Sequence, residues 1–205
     1  MSKKAKQAAS PKPDGRRLRS VRSREIIIDA MLSLVGEGIL APTAQQVAER
    51  ADVGIRSVFR HFADMESIFE AANERTRASH ESLFVGGDRN GSLSERIRHA
   101  AEKHAHAYET LTNVLLSVQA RRWQSEVLRK NYAASQRRLR KDLDNWLPEL
   151  ASLTPTSREA VDAIASFETW HRLREHQGLS KNASIEVVVH MLELLVPQDS
   201  ARHRR

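Results

Sequence analysis

The chain of 205 residues contains no cysteine. That excludes disulfide staples and thiolate metal sites, and a reducing cytoplasm is the simplest compartment consistent with it. Long apolar runs are missing as well. None approaches the roughly 20 residues needed to span a bilayer, and the N-terminus has no apolar region of the signal-peptide kind. Aromatic residues are only 5% of the chain. No strand-like alternation persists and helix-forming residues dominate, so an all-α fold is expected. There is no phosphate-binding glycine loop, dinucleotide fingerprint, H-E-x-x-H or G-x-S-x-G motif, so neither enzymatic activity nor a cofactor is expected. Histidine, by contrast, occurs nine times. Two ligands on one helix need i, i+3 or i, i+4 spacing to meet one metal ion. His99 and His106 share a face but lie about 10 Å apart along the axis. His104 and His106 point to opposite sides, His171 and His176 diverge, and no metal site is expected.

What is present begins with charge. The formal net charge is +7, yet residues 1–24 hold nine Lys or Arg against one Asp, while the remainder holds 24 basic against 25 acidic groups. The basicity therefore belongs to the N-terminal end. Residues 1–22 interleave Lys and Arg with Ser, Pro and Gly, have too few apolar residues to fold alone, and are expected to form a flexible basic arm. Such an arm neutralises phosphates and makes binding salt-dependent. The plainer alternative is a terminus that only confers solubility.

After it, Ile27, Met31, Leu34 and Val35 stand at the spacing of a helical core stripe, which Gly36 and Gly38 end. The stretch Thr43–Phe62, TAQQVAERADVGIRSVFRHF, then reads as two short helices joined by a tight turn. Thr43 and Gln46 form a T-x-x-Q capping box, and Val47, Ala48 and Ala51 face inward. In the turn, Asp52 tolerates a left-handed backbone and Gly54 presents no side chain to clash. In the second helix Val58 and Phe62 pack inward, leaving Ile55, Arg56, Ser57, Phe59 and Arg60 on a face about one major groove wide.

This stretch resembles the DNA-binding domain of TetR-family transcriptional regulators, from about Ser23 to Asn73. Their pattern T-x-x-x-[IV]-A-x-x-A-x-V-[SG]-x-x-[ST]-[LIV]-[FY]-x-H-F is matched by Thr43, Val47, Ala48, Ala51, Val53, Gly54, Ser57, Val58, Phe59, His61 and Phe62. The resemblance implies that Ile55, Arg56, Ser57, Phe59 and Arg60 meet base edges or nearby phosphates of a double-stranded operator. Thr43, Gln45, His61, Arg22 and Arg24 complete the expected DNA-binding set. Two positions depart from the pattern. Phe59 stands where the family often has Tyr, and Met65 where it often has Lys, so two phosphate contacts are missing, a loss the arm is expected to offset.

Asp64 is a candidate N-cap for the next helix, whose Ile68, Phe69 and Ala72 close a small head at residues 23–72. A second domain over 73–197 is expected, its boundary inside that helix and the glycine-rich break at 86–91 its first turn, with residues 198–205 as a polar tail. Ser92 and Glu95 form a capping box for a helix carrying Ile97, Ala100, Ala101, His104 and Tyr108. Val114, Leu115 and Val118 mark a separate short helix, and Ser125 to Trp146 a long one ended by Pro148. The charges of that long helix read as a solvated face. Pro155, with Thr156 and Glu159 as a third capping box, begins a helix running through Val161, Ile164, Ala165, Phe167 and Trp170 to Gly178, and Ser180 opens a last one. The architecture is thus all-α with about nine helices: a three-helix helix-turn-helix head followed by a helical domain.

In that domain His104, Tyr108, Trp123, Phe167 and Trp170 are candidate linings of a pocket for an unidentified small-molecule effector, against plain core packing. Ile164, Phe167, Ile185, Val188, Val189 and Leu192 are candidates for a homodimer interface, as the resemblance implies, against simple capping of the chain's own core. The expectation is a ligand-responsive, cytoplasmic homodimer that acts as a repressor at a pseudo-palindromic operator, with no membrane partner. The rivals are an architectural, sequence-tolerant DNA binder, and a ligand-binding or protein-interaction module with a weak DNA-binding head.

Overall fold

The computed structural model describes residues 15–197, with side chains from Leu18 onward. Among the described residues there are nine α-helices and no strand. Contacts divide the chain into two units after Ala72. The outer residues 1–14 of the expected arm, and the tail at 198–205, lie outside the described residues.

The first unit is built on α1 (Gly15–Gly36), α2 (Ala44–Arg50), α3 (Ile55–His61) and the first turns of α4 (Met65–Ser82). Helix α1 begins eight residues before the expected Ser23. The segment supplies good helix formers, Leu and Arg, and no Pro or Gly after Gly15, so nothing local stops the helix from running back into the basic stretch. Leu18 and Val21 there remain more than half exposed. The core stripe is as expected: Ile27 and Met31 are fully buried, joined by Leu34, Val35, Val47, Val58, Phe62 and Ile68. At the end of α1 Gly38 is left-handed (φ 92°). The Ile39 N–H reaches the Leu34 carbonyl and the Gly38 N–H that of Val35, each at 3.0 Å, which is a Schellman closure. Arg50 forks onto both Glu37 oxygens at 2.6 and 2.7 Å and donates to Ser33 Oγ at 2.6 Å, tying the end of α2 to the end of α1. Asp64 caps α4 by accepting from the Ser67 N–H at 2.8 Å.

The second unit is organised around α5 (Leu93–Arg121), against which α6 (Glu126–Trp146), α8 (Phe167–His171) and α9 (Lys181–Leu195) pack, with α7 (Pro155–Ile164) on α9. The Ser92–Glu95 capping box starts α5 as expected, and Ser180 opens α9 as expected, its Oγ accepting from the Ala183 N–H at 3.2 Å. Three expectations are corrected. Val114, Leu115 and Val118 do not form a separate helix but continue α5. No Gly or Pro interrupts that segment, and Thr110 and Thr112 donate back to the His106 and Tyr108 carbonyls instead of breaking the ladder. Thr154, not Thr156, caps α7, because Pro155 takes the first helical position that its fixed φ favours. Finally, the helix expected to run from there to Gly178 breaks at Ala165–Ser166. Ser166 Oγ accepts from the Thr169 N–H and so caps a new helix, α8, which passes into a π-helical turn at Arg172–His176.

Ile97, Ala100, Ala101, Tyr108, Leu143, Trp146, Val161, Phe167, Trp170, Val188 and Leu192 form one core. The alanines on α5 let neighbouring helices approach closely. Three of the six basic residues of α6 pair with acids: Lys130 with Glu126, Arg138 with Glu81, and Arg140 with Glu159 and Asp162. Arg158, buried to 8% exposure, bridges Asp162 and Asp144.

Candidate nucleic-acid interface and ligand cavity

The head presents α3 through its caps. Thr43 Oγ1 accepts from the Gln46 N–H at 3.2 Å and the Gln46 side chain accepts from the Thr43 N–H at 2.9 Å, so both halves of the box form. The turn divides its work unequally. Asp52 alone takes the left-handed conformation, at φ 51°. The Val53 and Asp52 amides close onto the Ala48 and Glu49 carbonyls, a second Schellman closure with aspartate at the left-handed position. Gly54 instead has an ordinary extended backbone as the N-cap of α3, with φ −67° and ψ 144°. A Cβ there would meet nothing within 4 Å. The expectation that Gly54 avoids a clash is therefore corrected: its surroundings are open.

With Val58 and Phe62 buried as the anchor, α3 turns Ile55 (40% exposed) and Phe59 (47%) outward beside exposed Arg56 and Arg60, while Ser57 is half-buried. Arg60 Nη2 lies 3.3 Å from Ser57 Oγ. The result is a short convex face of two guanidinium groups and two apolar side chains, of a size that fits a major groove. Thr43 and Gln45 are exposed at the start of α2, where Gln45 donates to Glu49 at 2.7 Å. Arg22 is exposed on α1.

Arg24 has a role the sequence did not disclose. Its guanidinium lies 4.1 Å from the centre of the Phe62 ring, and Nη1 donates to the His61 carbonyl at 3.2 Å. It thus neutralises the carbonyl end of α3. Beside it, His61 Nε2 is buried without a hydrogen-bond partner among the described residues. Burial, with Arg60 and Arg24 nearby, holds the His61 pKa below the ordinary histidine value, so the ring is neutral at pH 7.

In the second unit one cavity, between α4, α5 and α6, has a volume of about 320 Å³. Tyr108 and Phe167 line it, with Phe84, Leu111, Leu115 and Leu128. His104 and Trp170, two of the other expected linings, do not. His104 borders a separate space of about 250 Å³, and Trp170 a void of about 20 Å³. Trp123 lines none of these: it is 70% exposed, its indole N–H satisfied by the Ala120 carbonyl. Phe84, His104, Tyr108 and Phe167 meet edge to face, with ring centres 5.5 to 5.9 Å apart. The Tyr108 hydroxyl donates to the Ala165 carbonyl at 2.8 Å, and burial pushes its pKa far up, so it stays a neutral donor. Phe84 and the α6 residues of the wall went unrecognised. The signal was the apolar spacing of Leu128, Tyr132 and Leu139 on α6, masked by the helix's many charges.

The expected interface residues are also placed differently. Phe167, Ile185, Val188, Val189 and Leu192 are each at most 7% exposed within the single chain, and Ile164 packs partly buried against the same core. The five buried side chains have little area left to lose to a partner, while Ile164 keeps part of its surface exposed. The apolar surface that α9 leaves outward is Leu194, 72% exposed, with Met191 half-buried one turn earlier. His171 and His176 also depart from expectation. The π-helical turn closes with i→i+5 hydrogen bonds, so an i, i+5 pair falls on one side and their rings meet at 5.8 Å.

Comparison with known proteins bears on both units. Residues 27–72 match the family described as bacterial regulatory proteins, tetR family. No curated protein matches the whole sequence significantly. Among solved structures, the chain is similar to a tetR-family transcriptional regulator from Streptomyces coelicolor (TM-score 0.64, 15% identity, covering 84% of this chain and 81% of that one). It is similar to a transcriptional regulator from Rhodococcus sp. Rha1 (TM-score 0.61, 15% identity, 86% and 95%). It is also similar to the multidrug binding protein EbrR, solved with imidazole (TM-score 0.55, 25% identity, 87% and 97%).

Proposed function

We propose, for a chain whose residues 27–72 belong to the TetR family of transcriptional regulators, that it binds a pseudo-palindromic operator as a homodimer and represses until a small molecule releases it. The observation that carries this reading is the outward face of α3, where Ile55, Arg56, Phe59 and Arg60 are exposed on a helix anchored by buried Val58 and Phe62. Arg56 and Arg60 are suited to guanine edges, and Phe59 and Ile55 to thymine methyls. Thr43, Gln45 and His61 flank that face and would meet phosphates, with Arg22 and the preceding arm adding sequence-independent attraction. Two-fold symmetry would place two such helices in successive major grooves.

Leu194, 72% exposed, and half-buried Met191 are apolar side chains that α9 offers to a partner. The cavity lined by Tyr108 and Phe167 supports effector binding. Release then requires a ligand with different affinities for DNA-competent and DNA-incompetent geometries of the dimer.

Selection of bound duplexes from a random pool at moderate salt tests the reading. A two-fold symmetric consensus is the expected outcome. Binding without sequence enrichment would assign the chain to the architectural DNA binders, and no duplex binding would leave only a ligand-binding or protein-interaction module.

A further inference from the structure

The wall of the 320 Å³ cavity carries charge that is not evenly spent. It holds two carboxylates, Glu81 and Asp142, and both are already neutralised. Arg138 Nη2 sits 2.5 Å from Glu81. Asp142 receives Arg89 at 2.7 Å on one oxygen and the Trp146 indole N–H at 3.1 Å on the other. Of the three cations in the wall, Arg138 is consumed by that Glu81 pair, and Arg77 is held at 2.7 Å by Glu74 on its own helix. Lys141 remains. It is exposed, lines the cavity, and has no acidic partner among the described residues. Asn145, one helical turn on along α6 and also in the wall, offers an uncommitted side-chain amide. The deeper wall, by contrast, is apolar, with Leu111, Leu115 and Leu128 from α5 and α6.

A cationic ligand entering here would find no carboxylate free to receive it and would lie against an unpaired ammonium group. A neutral apolar ligand would fill the depth but leave Lys141 and Asn145 unused. An anion with an apolar body satisfies both ends. At the liquid share of about 30 Å³ per water, the volume equals about ten waters, which suits a body of about ten non-hydrogen atoms. We propose that the effector cavity takes an amphipathic monocarboxylate, its chain against Leu111, Leu115 and Leu128 and its carboxylate on Lys141 and Asn145. This rests on the reading of the cavity as the effector site.

The test uses the full chain and three probes of equal chain length: octanoate, octan-1-ol and octyltrimethylammonium, titrated by calorimetry. Octanoate is expected to bind once per chain and at least about tenfold more tightly than the ammonium, the difference one charge-assisted anchor makes. Lys141→Gln should weaken octanoate about tenfold while leaving octan-1-ol unchanged, and Lys141→Glu should reverse the order of octanoate and the ammonium. Because Lys141 is exposed, neither variant threatens the fold, and circular dichroism checks this. The proposal is overturned if the ammonium binds as well as octanoate, if Lys141→Gln affects octanoate and octan-1-ol alike, or if none of the three binds. A parallel titration of a selected operator duplex separates the two ideas. Specific duplex binding without carboxylate preference removes only the ligand class, and carboxylate preference without duplex binding removes only the regulator.

Discussion

Replacing Gly54 by serine is expected to stabilise the head. Its backbone, at φ −67° and ψ 144°, is the extended geometry of an N-cap and lies in a region open to any residue. Nothing lies within 4 Å of the Cβ position, so the new side chain meets no obstacle. At present α3 has no side-chain cap, and the Ser57 amide, which donates to the Gly54 carbonyl at 2.7 Å, would gain the introduced hydroxyl as a second acceptor, as the Thr43 hydroxyl accepts from the Gln46 amide in α2. Serine gains only a few tenths of a kcal/mol over glycine as a cap, and the loss of glycine's freedom in the unfolded chain adds about 0.4–1 kcal/mol. The sum is a stabilisation of about 1 kcal/mol. Asp52→Val is the matched opposite: a β-branched residue forced to φ 51° should cost about 1–2 kcal/mol. Urea denaturation of the full chain measures both, with amide exchange at Val58 and Phe62 reporting on α3 itself. A destabilised Gly54→Ser, or faster exchange of those two amides, would refute the assignment of the turn's strain to Asp52.

Three further outcomes are expected. Arg56→Ala and Arg60→Ala should each cost about 1–3 kcal/mol in operator binding and relax preference at particular base pairs; in a binding series over single-base operator variants, uniform weakening would assign them to phosphates. Leu194→Glu should raise the dimer dissociation constant on the order of tenfold or more, as charge replaces an apolar anchor, and light scattering across a dilution series reads it. Gly87→Ala should cost the second unit about 2–4 kcal/mol, because a left-handed backbone (φ 101°) combines with a Cβ only 2.6 Å from the ring of Trp146, which is buried and cannot yield. Gly86→Ala, with φ 82° and open surroundings, should cost only about 1 kcal/mol in the same thermal melts.

What the amino-acid order determined by itself was local. The Thr43–Gln46 and Ser92–Glu95 capping boxes, the Asp64 and Ser180 caps, the left-handed Asp52 and the inward Val58 and Phe62 all depend on neighbours within about one helical turn. Such interactions are written in residue spacing, so the all-α class and the head were legible. The break at Ser166 followed the same local logic, but there a serine cap competed with an equally acceptable continuing helix, and the pattern did not say which would win. The tertiary structure decided everything that depends on what lies opposite a side chain. Apolar periodicity marks Ile185, Val188 and Leu192 as residues to be covered, yet only packing shows that their own chain covers them and leaves Leu194 outside. Likewise Tyr108 on α5 and Trp123 in the turn that follows it are both aromatic, and one faces a cavity while the other faces solvent. Lys141 is one of six basic residues along α6, distinguished by lining the cavity without a carboxylate partner, whereas Arg138 in the same wall is paired with Glu81. Burial and ion pairing are properties of a surface and its opposing surface together, and a single strand of sequence carries only one of the two.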